Sequence, residues 1–380
     1  MLWGLIILLM KTLLRLLVAA LLLLIQNFST SWAGQVIVWG GGFSNVPSGL
    51  TNVVAVAAGW FHCLALINDG TVVVWDNSSV QTNVPSDLTN VIAIAGGESF
   101  SIALKADGTV TGWGNSPAVP VSDDLTNVVA VAAGSSHCLA LKSDGTVVAW
   151  GNYTTTGRPF GYPAYVPDDL MDVVAVAGGM GHSYALKSDG TVVAWGDNTW
   201  GQLDYPGDLT NGVAIAAGIF NGMAVRSDRS ADGWSASWGY DLPANLTNGV
   251  AVASGLDHRV LLRSDGTVTV WSGNTQGQAN VPAGLSNVVA VAAGYSFTLA
   301  LVGNGPPATQ ALAINPTLTS QNFRLQIPTQ NNHVYRLEYK TALTDSNWTA
   351  LPLVAGTGGL QTLGDSTITD NTRFYRVRAW

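Results

Sequence analysis

Histidine is the residue type in this chain whose number and spacing could support metal chemistry. Four of the five histidines lie three residues after a recurring glycine; they are His62, His137, His182 and His258. If these imidazoles converged on one axis, they could form a ring of metal ligands. Phe100, Asn221 and Phe297 occupy the same register elsewhere, and a structural position tolerates such changes more readily than a ligand shell does. We therefore expect hydrogen-bonded structural histidines and no metal or other cofactor.

Two cysteines share a second register, directly after two of these histidines. They are Cys63 and Cys138. Because they belong to repeats two apart, we expect their separation to exceed the reach of a disulfide. The sequence therefore predicts two buried, small apolar residues.

Adjacent acids are the remaining candidates for catalysis. Asp123 and Asp124 form one pair, and Asp168 and Asp169 form another. Each pair follows a recurring proline, where solvated turn residues are expected, and neighbouring side chains on extended chain point apart. The chain has no Gly-x-Ser-x-Gly elbow, Walker loop, His-Glu-x-x-His motif or calcium loop. We expect no catalytic residue and predict that the protein is not an enzyme.

The elements that position these residues are copies of one repeat. Its glycine follows an apolar run and recurs at intervals of 37 to 45 residues, at Gly59, Gly97, Gly134, Gly179, Gly218, Gly255 and Gly294. A proline precedes each glycine by 12 or 14 residues, and a tryptophan follows five of them by 16. After Gly218 we assign this role to Trp238, 20 residues on, which implies a four-residue insertion around Asp228 to Ala231.

Each repeat predicts a small antiparallel sheet. Short β-prone runs such as Val147 to Trp150 follow Asp-Gly pairs, which are a strong hairpin signal. The last repeat lacks its tryptophan strand, whereas Gln35 to Gly40 supplies such a strand with no repeat before it. The two incomplete ends make one complete unit, as expected when a ring closes. The sequence therefore predicts a seven-bladed β-propeller over residues 34–303.

These repeats resemble those of the regulator of chromosome condensation family, as in the stretch from Val128 to Asn152. In repeat length they are closer to the secreted bacterial β-lactamase inhibitor propeller. The resemblance implies seven blades, and functions that differ between members. The founding nuclear activity, guanine nucleotide exchange with chromatin binding, fits poorly with the predicted leader and with the charge of the ring.

The leader is predicted from residues 1–33. An apolar stretch, interrupted by Lys11 and Arg15, ends in small residues before Gly34, which is typical of a signal peptide. The order of charge and apolar run favours Met10 as the initiator. An uncleaved anchor is the alternative, because the apolar stretch is long enough to span a membrane. We expect a secreted protein, extracellular or periplasmic and of bacterial type, with no membrane span after cleavage.

Composition and charge limit the partners. Of 380 residues, 47% are hydrophobic and 11% charged, with 43 glycines and 14 tryptophans, which excludes a disordered chain. Residues 34–303 carry 8 Lys/Arg against 20 Asp/Glu, so nucleic-acid binding is not expected. Residues 304–380 alternate apolar and polar residues and predict a small β-sandwich. This segment is similar to accessory modules with a closing Phe-Tyr-Arg-Val signature, here from Phe374 to Val377.

The candidate binding residues come from the variable loops. The length from the repeat tryptophan to the next proline varies between repeats, so length variation is concentrated in one loop of each blade. Equivalent loops emerge on the same face of the ring, and variable loops on a rigid scaffold are where binding sites usually lie. They carry residue types that form interface hot spots: Tyr153, Arg158, Phe160, Tyr162, Tyr165, Trp200, Tyr205 and Tyr240. We predict a non-catalytic scaffold for an extracellular or envelope protein, with an inhibited enzyme among the candidates. The alternatives are carbohydrate binding and, less favoured, a propeller hydrolase or lyase.

Overall fold

The computed structural model describes residues 34–41, 45–76, 83–116, 121, 124–151, 164–235, 243, 246–303, 314–318, 322–330, 333–342, 344–345, 347–357, 360–368 and 373–380. These residues form strands and turns, and none of their segments is a helix long and apolar enough to cross a membrane. The predicted leader, residues 1–33, lies outside them. The prediction of an all-β chain is confirmed.

The described part of residues 34–303 holds seven sheets of three antiparallel strands. The strands are β1 (Gln35–Trp39), β2 (Val53–Ala58), β3 (His62–Ile67), β4 (Val72–Asp76), β5 (Val91–Gly96), β6 (Phe100–Lys105), β7 (Val110–Gly114), β8 (Val128–Ala133), β9 (His137–Lys142), β10 (Val147–Gly151), β11 (Val173–Gly178), β12 (His182–Lys187), β13 (Val192–Gly196), β14 (Gly212–Ala217), β15 (Gly222–Arg226), β16 (Ala231–Trp234), β17 (Gly249–Ser254), β18 (His258–Arg263), β19 (Val268–Ser272), β20 (Val288–Ala293) and β21 (Thr298–Val302). Blades 1 to 6 are consecutive triplets from β2 to β19. Blade 7 combines β20 and β21 with β1.

Blade 7 closes the ring. Strand β1 runs antiparallel to β21, from Gln35 opposite Val302 to Trp39 opposite Thr298. The first strand of each blade contacts the first strand of the next, and β20 contacts β2. A Cβ on Gly294, the residue after β20, would lie 2.7 Å from the carbonyl oxygen of Gly59, the residue after β2, so blades 7 and 1 approach each other closely at the ends of these strands. The prediction of a propeller closed by its N-terminal strand is confirmed.

Asp-Gly turns join the second and third strands. In blade 1 the Asp69 carboxylate accepts hydrogen bonds from the backbone N–H and hydroxyl of Thr71 at 2.9 and 2.7 Å. Gly70 between them has φ +85°, a left-handed conformation that glycine adopts without strain. The same carboxylate-to-threonine bonds recur in blades 2, 3, 4 and 6, as the hairpin prediction requires.

The insertion predicted in blade 5 is wrong. Trp234 pairs with Gly222 in the register in which Trp75 pairs with Cys63, so Trp234 is the repeat tryptophan. The turn has its ordinary length, with Arg229 at φ 68° in the position of the glycine. Because arginine replaces the glycine here, the sequence lacks the Asp-Gly pair that predicts the hairpin. The repeat tryptophan was therefore assigned to Trp238, which lies outside the described residues.

The C-terminal segment forms two further three-stranded sheets. Their strands are β22 (Ile314–Leu318), β23 (Phe323–Pro328), β24 (Val334–Lys340), β25 (Thr349–Ala355), β26 (Leu360–Asp365) and β27 (Phe374–Ala379). Leu325 and Leu363 from one sheet pack against Tyr335 and Leu337 from the other. This is the predicted β-sandwich. The closing signature lies in β27, where the Tyr375 hydroxyl donates to Asp365 at 2.9 Å.

The propeller has two distinct faces. The loop face carries the turns that follow the repeat glycines and the loops that leave the third strands, whereas the turn face carries the Asp-Gly turns. The sandwich docks on the turn face: the backbone N–H of Leu353 donates to the Ser143 carbonyl at 2.9 Å, and the Arg378 guanidinium donates to the Ser188 carbonyl at 2.8 Å. Leu353 also joins the hydrophobic cluster that contains Val173. The sandwich therefore covers part of the turn face of blades 3 and 4.

Candidate functional site

The loop face brings two loops of each blade together. The second strand begins at this face and the third strand ends there, so the segment after the third strand returns to the turn before the second. In blade 4 the N–H of Asp197 donates to the Gly181 carbonyl at 2.8 Å, and in blade 6 Gly273 donates to Asp257 at 2.9 Å. These bonds fix the base of the variable loops of blades 4 and 6 beside the mouth of the central channel.

Only part of the predicted binding set can be placed. Tyr153, Arg158, Phe160, Tyr162 and Tyr240 lie outside the described residues. The assignment of these five to a binding surface stays a prediction.

Trp200 is the predicted residue with the best-defined position. Its side chain is 38% exposed and its ring lies 5.5 Å from that of Phe220 in the next blade. The loop beneath it is held by the buried Gln202 side chain, which accepts from the Trp200 N–H at 2.8 Å and donates to the Asp197 carboxylate at 3.0 Å. A buried hydrogen-bond network therefore presents an aromatic ring at the surface.

Tyr165 and Tyr205 have different surroundings. Tyr165 is 64% exposed, which leaves its ring accessible. Tyr205 packs edge-on against the buried Trp234 at 6.1 Å, so its ring anchors the loop to the blade. The structure therefore separates these two residues, which the sequence grouped together.

An aromatic cluster that the sequence did not single out lies on the same face. Trp60 and Phe61 follow the repeat glycine of blade 1, and Tyr295 follows that of blade 7. The Phe61 and Tyr295 rings stack at 5.2 Å, and the Trp60 and Tyr295 rings lie 5.8 Å apart. Phe61 is 41% exposed. These three rings form a surface across the seam where the ring closes.

Backbone hydrogen bonds fix this cluster to its neighbours. The N–H of Tyr295 donates to the Trp60 carbonyl and the N–H of Trp60 donates to the Gly97 carbonyl, both at 3.0 Å. On the other side, the N–H of Leu256 donates to the Tyr295 carbonyl at 3.3 Å. The residues after the repeat glycines are therefore joined from blade to blade around the channel mouth.

Acidic residues flank the aromatic cluster. Glu98 follows Gly97 in blade 2, and Asp257 follows Leu256 in blade 6. Partial burial raises the pKa of the Glu98 carboxyl, and none of the ion pairs among the described residues involves either carboxylate. We call Asp257, Tyr295, Trp60, Phe61 and Glu98, from four consecutive blades, the mouth arc.

The basic residues of the ring lie elsewhere. Five of those described close second strands at the turn face: Lys105, Lys142, Lys187, Arg226 and Arg263. At the other end of its strand, Arg259 is buried and donates to the Ser272 hydroxyl at 3.2 Å. The described residues of the loop face therefore present carboxylates and no exposed Lys or Arg.

The histidines lie between blades. The Nε2 atom of His62 is 2.9 Å from the Ser101 hydroxyl of the next blade, and that of His137 is 3.0 Å from the Ser183 hydroxyl. Burial lowers the pKa of His62 to about 4 and, as the largest cause, that of His137 to about 3. Each ring is therefore neutral and packed, as expected of a structural histidine.

The cysteines take part in an apolar version of the same contact. Cys138 of blade 3 packs with Phe100 of blade 2, and Cys63 of blade 1 packs with Phe297 of blade 7. Neither cysteine forms a disulfide with another described residue, both side chains are buried, and burial raises the pKa of Cys138. A His-Ser pair or a Phe-Cys pair thus fills equivalent blade interfaces.

No group of three His, Cys, Asp or Glu side chains in the described ranges could hold a metal ion. Asp168 and Asp169 are exposed turn residues near the turn face, remote from the loop face. Asp124 is described, whereas its neighbour Asp123 lies outside the described residues.

One sequence signal could have found the mouth arc. The residue after the repeat glycine differs in every copy, being Trp60, Glu98, Ser135, Met180, Ile219, Leu256 and Tyr295. Such variation directly after a fixed glycine marks a surface position on a rigid scaffold.

Comparison with protein-family models matches three segments, residues 91–117, 128–152 and 173–202, to the regulator of chromosome condensation (RCC1) repeat. No curated protein sequence matches the chain. Among solved structures, the chain is similar to yeast RCC1 (Prp20) bound to Kap60, with 18% identity, 74% of this chain and 90% of that chain covered, and a TM-score of 0.58.

Two further structures share the fold. Saccharomyces cerevisiae Prp20p, described with its binding to Gsp1p and histones, is 18% identical, with 73% of this chain and 93% of that chain covered and a TM-score of 0.59. The CRINKLY WD40 ectodomain of the Arabidopsis thaliana receptor kinase ACR4 is 24% identical, with 67% and 97% covered and a TM-score of 0.53. At these identities the similarity shows the propeller fold.

Proposed function

Because the ring is a propeller of the regulator of chromosome condensation type, we propose that the protein is a secreted, non-catalytic scaffold that binds a protein partner through its loop face. The observation that carries this proposal is the gathering of exposed aromatic rings from several blades on that face. Phe61 and Trp200 are both more than a third exposed, and hydrogen bonds hold the turn or loop that carries each of them. Rigid aromatic anchors lose little entropy on binding and dominate interfaces.

The docked sandwich supports the choice of face. It covers part of the turn face of blades 3 and 4 through Leu353 and Arg378, whereas the mouth arc and Trp200 lie on the opposite face of the ring. Two of the similar structures are described with protein partners, Kap60 for one and Gsp1p and histones for the other. A protein is therefore the class of partner to test first, and among proteins a secreted enzyme is the first candidate.

The experiment is affinity capture from extracellular and envelope fractions of the source organism, with the whole chain after residue 33 as bait. The variants take their replacements from the repeat itself. Phe61→Ser uses the residue found at Ser99, Ser136 and Ser296, and Trp200→Gln uses the residue found at Gln276. The matched control is Met171→Thr, which removes a 62% exposed apolar side chain from the turn face and introduces the residue found at Thr89 and Thr126.

A protein that the wild type and Met171→Thr capture, and that the double loop-face variant loses, supports the proposal. Equal capture by all three baits would contradict it. If the loop face instead retains a neutral polysaccharide and no protein, the carbohydrate alternative replaces it, because exposed Trp and Tyr rings also stack on sugars.

A further inference from the structure

We propose that the mouth arc is a receptor for a cationic side chain, and that the partner of the loop face therefore presents an arginine or lysine on a protruding loop. This inference rests on the proposed function and names the chemistry of the partner. The mouth arc combines packed aromatic rings with two carboxylates that take part in none of the ion pairs among the described residues.

The aromatic part of the arc suits a cation. Trp60, Phe61 and Tyr295 pack within 5.2 to 6.3 Å of one another and hold their rings at differing tilts. Ring faces and edges thus border one shallow surface at the channel mouth. A guanidinium or ammonium group above an aromatic face is attracted by the ring quadrupole, and tryptophan is the strongest of these acceptors.

The acidic part of the arc lacks an internal cation. Glu98 is half-buried, and its carboxyl has a raised pKa because burial disfavours the charged form. Since no described ion pair includes this carboxylate, an incoming cation would recover the energy lost on its partial desolvation. Asp257 supplies a second carboxylate at the other end of the arc, where it accepts from Gln278 at 3.2 Å.

The charge of the two faces also favours a basic partner. On the turn face, lysine and arginine side chains are balanced by nearby aspartates, as in the contacts between Lys105 and Asp107 at 3.8 Å and between Arg226 and Asp208 at 3.0 Å. On the loop face the described carboxylates have no exposed cation beside them. Charge complementarity of this kind sets the specificity of a partner and accelerates its association.

The test measures the affinity of the whole chain for two cyclic peptides. The first probe, Cys-Gly-Arg-Tyr-Arg-Gly-Cys closed by a disulfide, presents arginine on a loop. The second carries citrulline, the uncharged isostere of arginine, at both arginine positions. Titration calorimetry at physiological ionic strength compares the wild type with Glu98→Gln, Trp60→Ser and the control Asp87→Asn. The control makes the same charge change on an exposed residue of the turn-face end.

We expect the wild type to bind the arginine probe about tenfold more tightly than the citrulline probe, the factor that 1.4 kcal/mol of selective interaction gives. Glu98→Gln should remove most of this preference, and Trp60→Ser should lower the affinity for the arginine probe. Asp87→Asn should change neither the preference nor the affinity. Equal affinity for both probes, no binding of either, or an equal loss in Asp87→Asn overturns the inference. Affinity capture that depends on Phe61 and Trp200 would then leave the proposed function standing by itself.

Discussion

At the residue scale, one recurring contact between blades accounts for two of the chain's histidines and for both of its cysteines. The third residue after the repeat glycine of one blade contacts the fourth residue after the repeat glycine of the next blade. Examples are His62 with Ser101 and Phe100 with Cys138. At these two interfaces the polar side chain meets a polar partner and the apolar one an apolar partner, because an unpaired buried polar group is costly. The sequence showed both registers but not their pairing, which exists only across the blade interface.

The histidine contacts make stability depend on pH. Burial holds the pKa of His62 and His258 at about 4 and that of His137 and His182 at about 3. In the unfolded chain these histidines titrate near pH 6.5. As the pH falls below about 6.5, the unfolded state therefore binds protons that the folded state does not bind. Each histidine then lowers the free energy of unfolding by about 1.4 kcal/mol per pH unit, until the pH reaches its pKa in the folded protein.

We predict that the free energy of unfolding, measured by urea denaturation, decreases as the pH falls from 6.5 to 4. The double variant His62→Phe with Ser101→Cys, which copies the Phe100 and Cys138 pair, should fold and reduce this slope. The single variant His62→Phe should be less stable than the double by about 1 to 2 kcal/mol, because the Ser101 hydroxyl is left buried without its partner. An unchanged slope in the double variant would refute this account.

At the element scale, local sequence predicted the blades wherever the turn residues were ordinary. Asp-Gly before a β-prone run identified the hairpins, and their carboxylates bond Thr71 and its counterparts as such turns require. Blade 5 was misassigned because Arg229 takes the left-handed position that the pattern reserves for glycine. Side-chain placement in the aromatic loops could not be read from the chain, since it depends on contacts between blades such as that of Trp200 with Phe220.

Arg229 is strained relative to the glycines of the other turns. Its φ of 68° is one that residues with a Cβ seldom adopt. We predict that Arg229→Gly raises the free energy of unfolding by about 0.5 to 1 kcal/mol, read as a higher thermal midpoint. The reciprocal change Gly145→Ala, at φ 85°, should lower it. A lower midpoint for Arg229→Gly would contradict this interpretation of the turn.

At the scale of the whole molecule, the closed ring follows from the incomplete first and last repeats of the propeller. The sequence supplied a strand without a repeat at one end of the ring and a repeat without a strand at the other, and β1 pairs with β21 as that arrangement requires. The docking of the sandwich was not foreseeable, because it depends on the backbone carbonyls of Ser143 and Ser188, which carry no signal in the sequence.

The closing strand should decide the stability of the ring. Val36 and Trp39 of β1 are buried and join the hydrophobic clusters of blade 7. We predict that Val36→Asp lowers the thermal midpoint sharply, since a buried carboxylate has no partner there. The control Gln35→Asp, at the exposed start of the same strand, should leave it nearly unchanged. Similar midpoints for the two variants would argue against closure by β1.

The leader predicted from residues 1–33 would carry the protein out of the cytoplasm, and its cleavage is directly measurable. The ring begins at Gly34, which bridges to Val53, so removal of residues 1–33 would leave the propeller whole. We predict that expression of the full chain in a bacterial host yields a protein outside the cytoplasm whose mass corresponds to a start at Gly34. A mass that retains the leader would favour the anchored alternative.

The partner is proposed to bind on the loop face, and site-specific photocrosslinking can locate this contact. A benzophenone amino acid replaces Phe61 in one sample and Met171, exposed near the opposite face, in another. Both samples are irradiated in extracellular and envelope fractions of the source organism. We predict a discrete protein adduct from position 61 and none from position 171. An adduct from position 171 alone, or from neither position, would contradict the account.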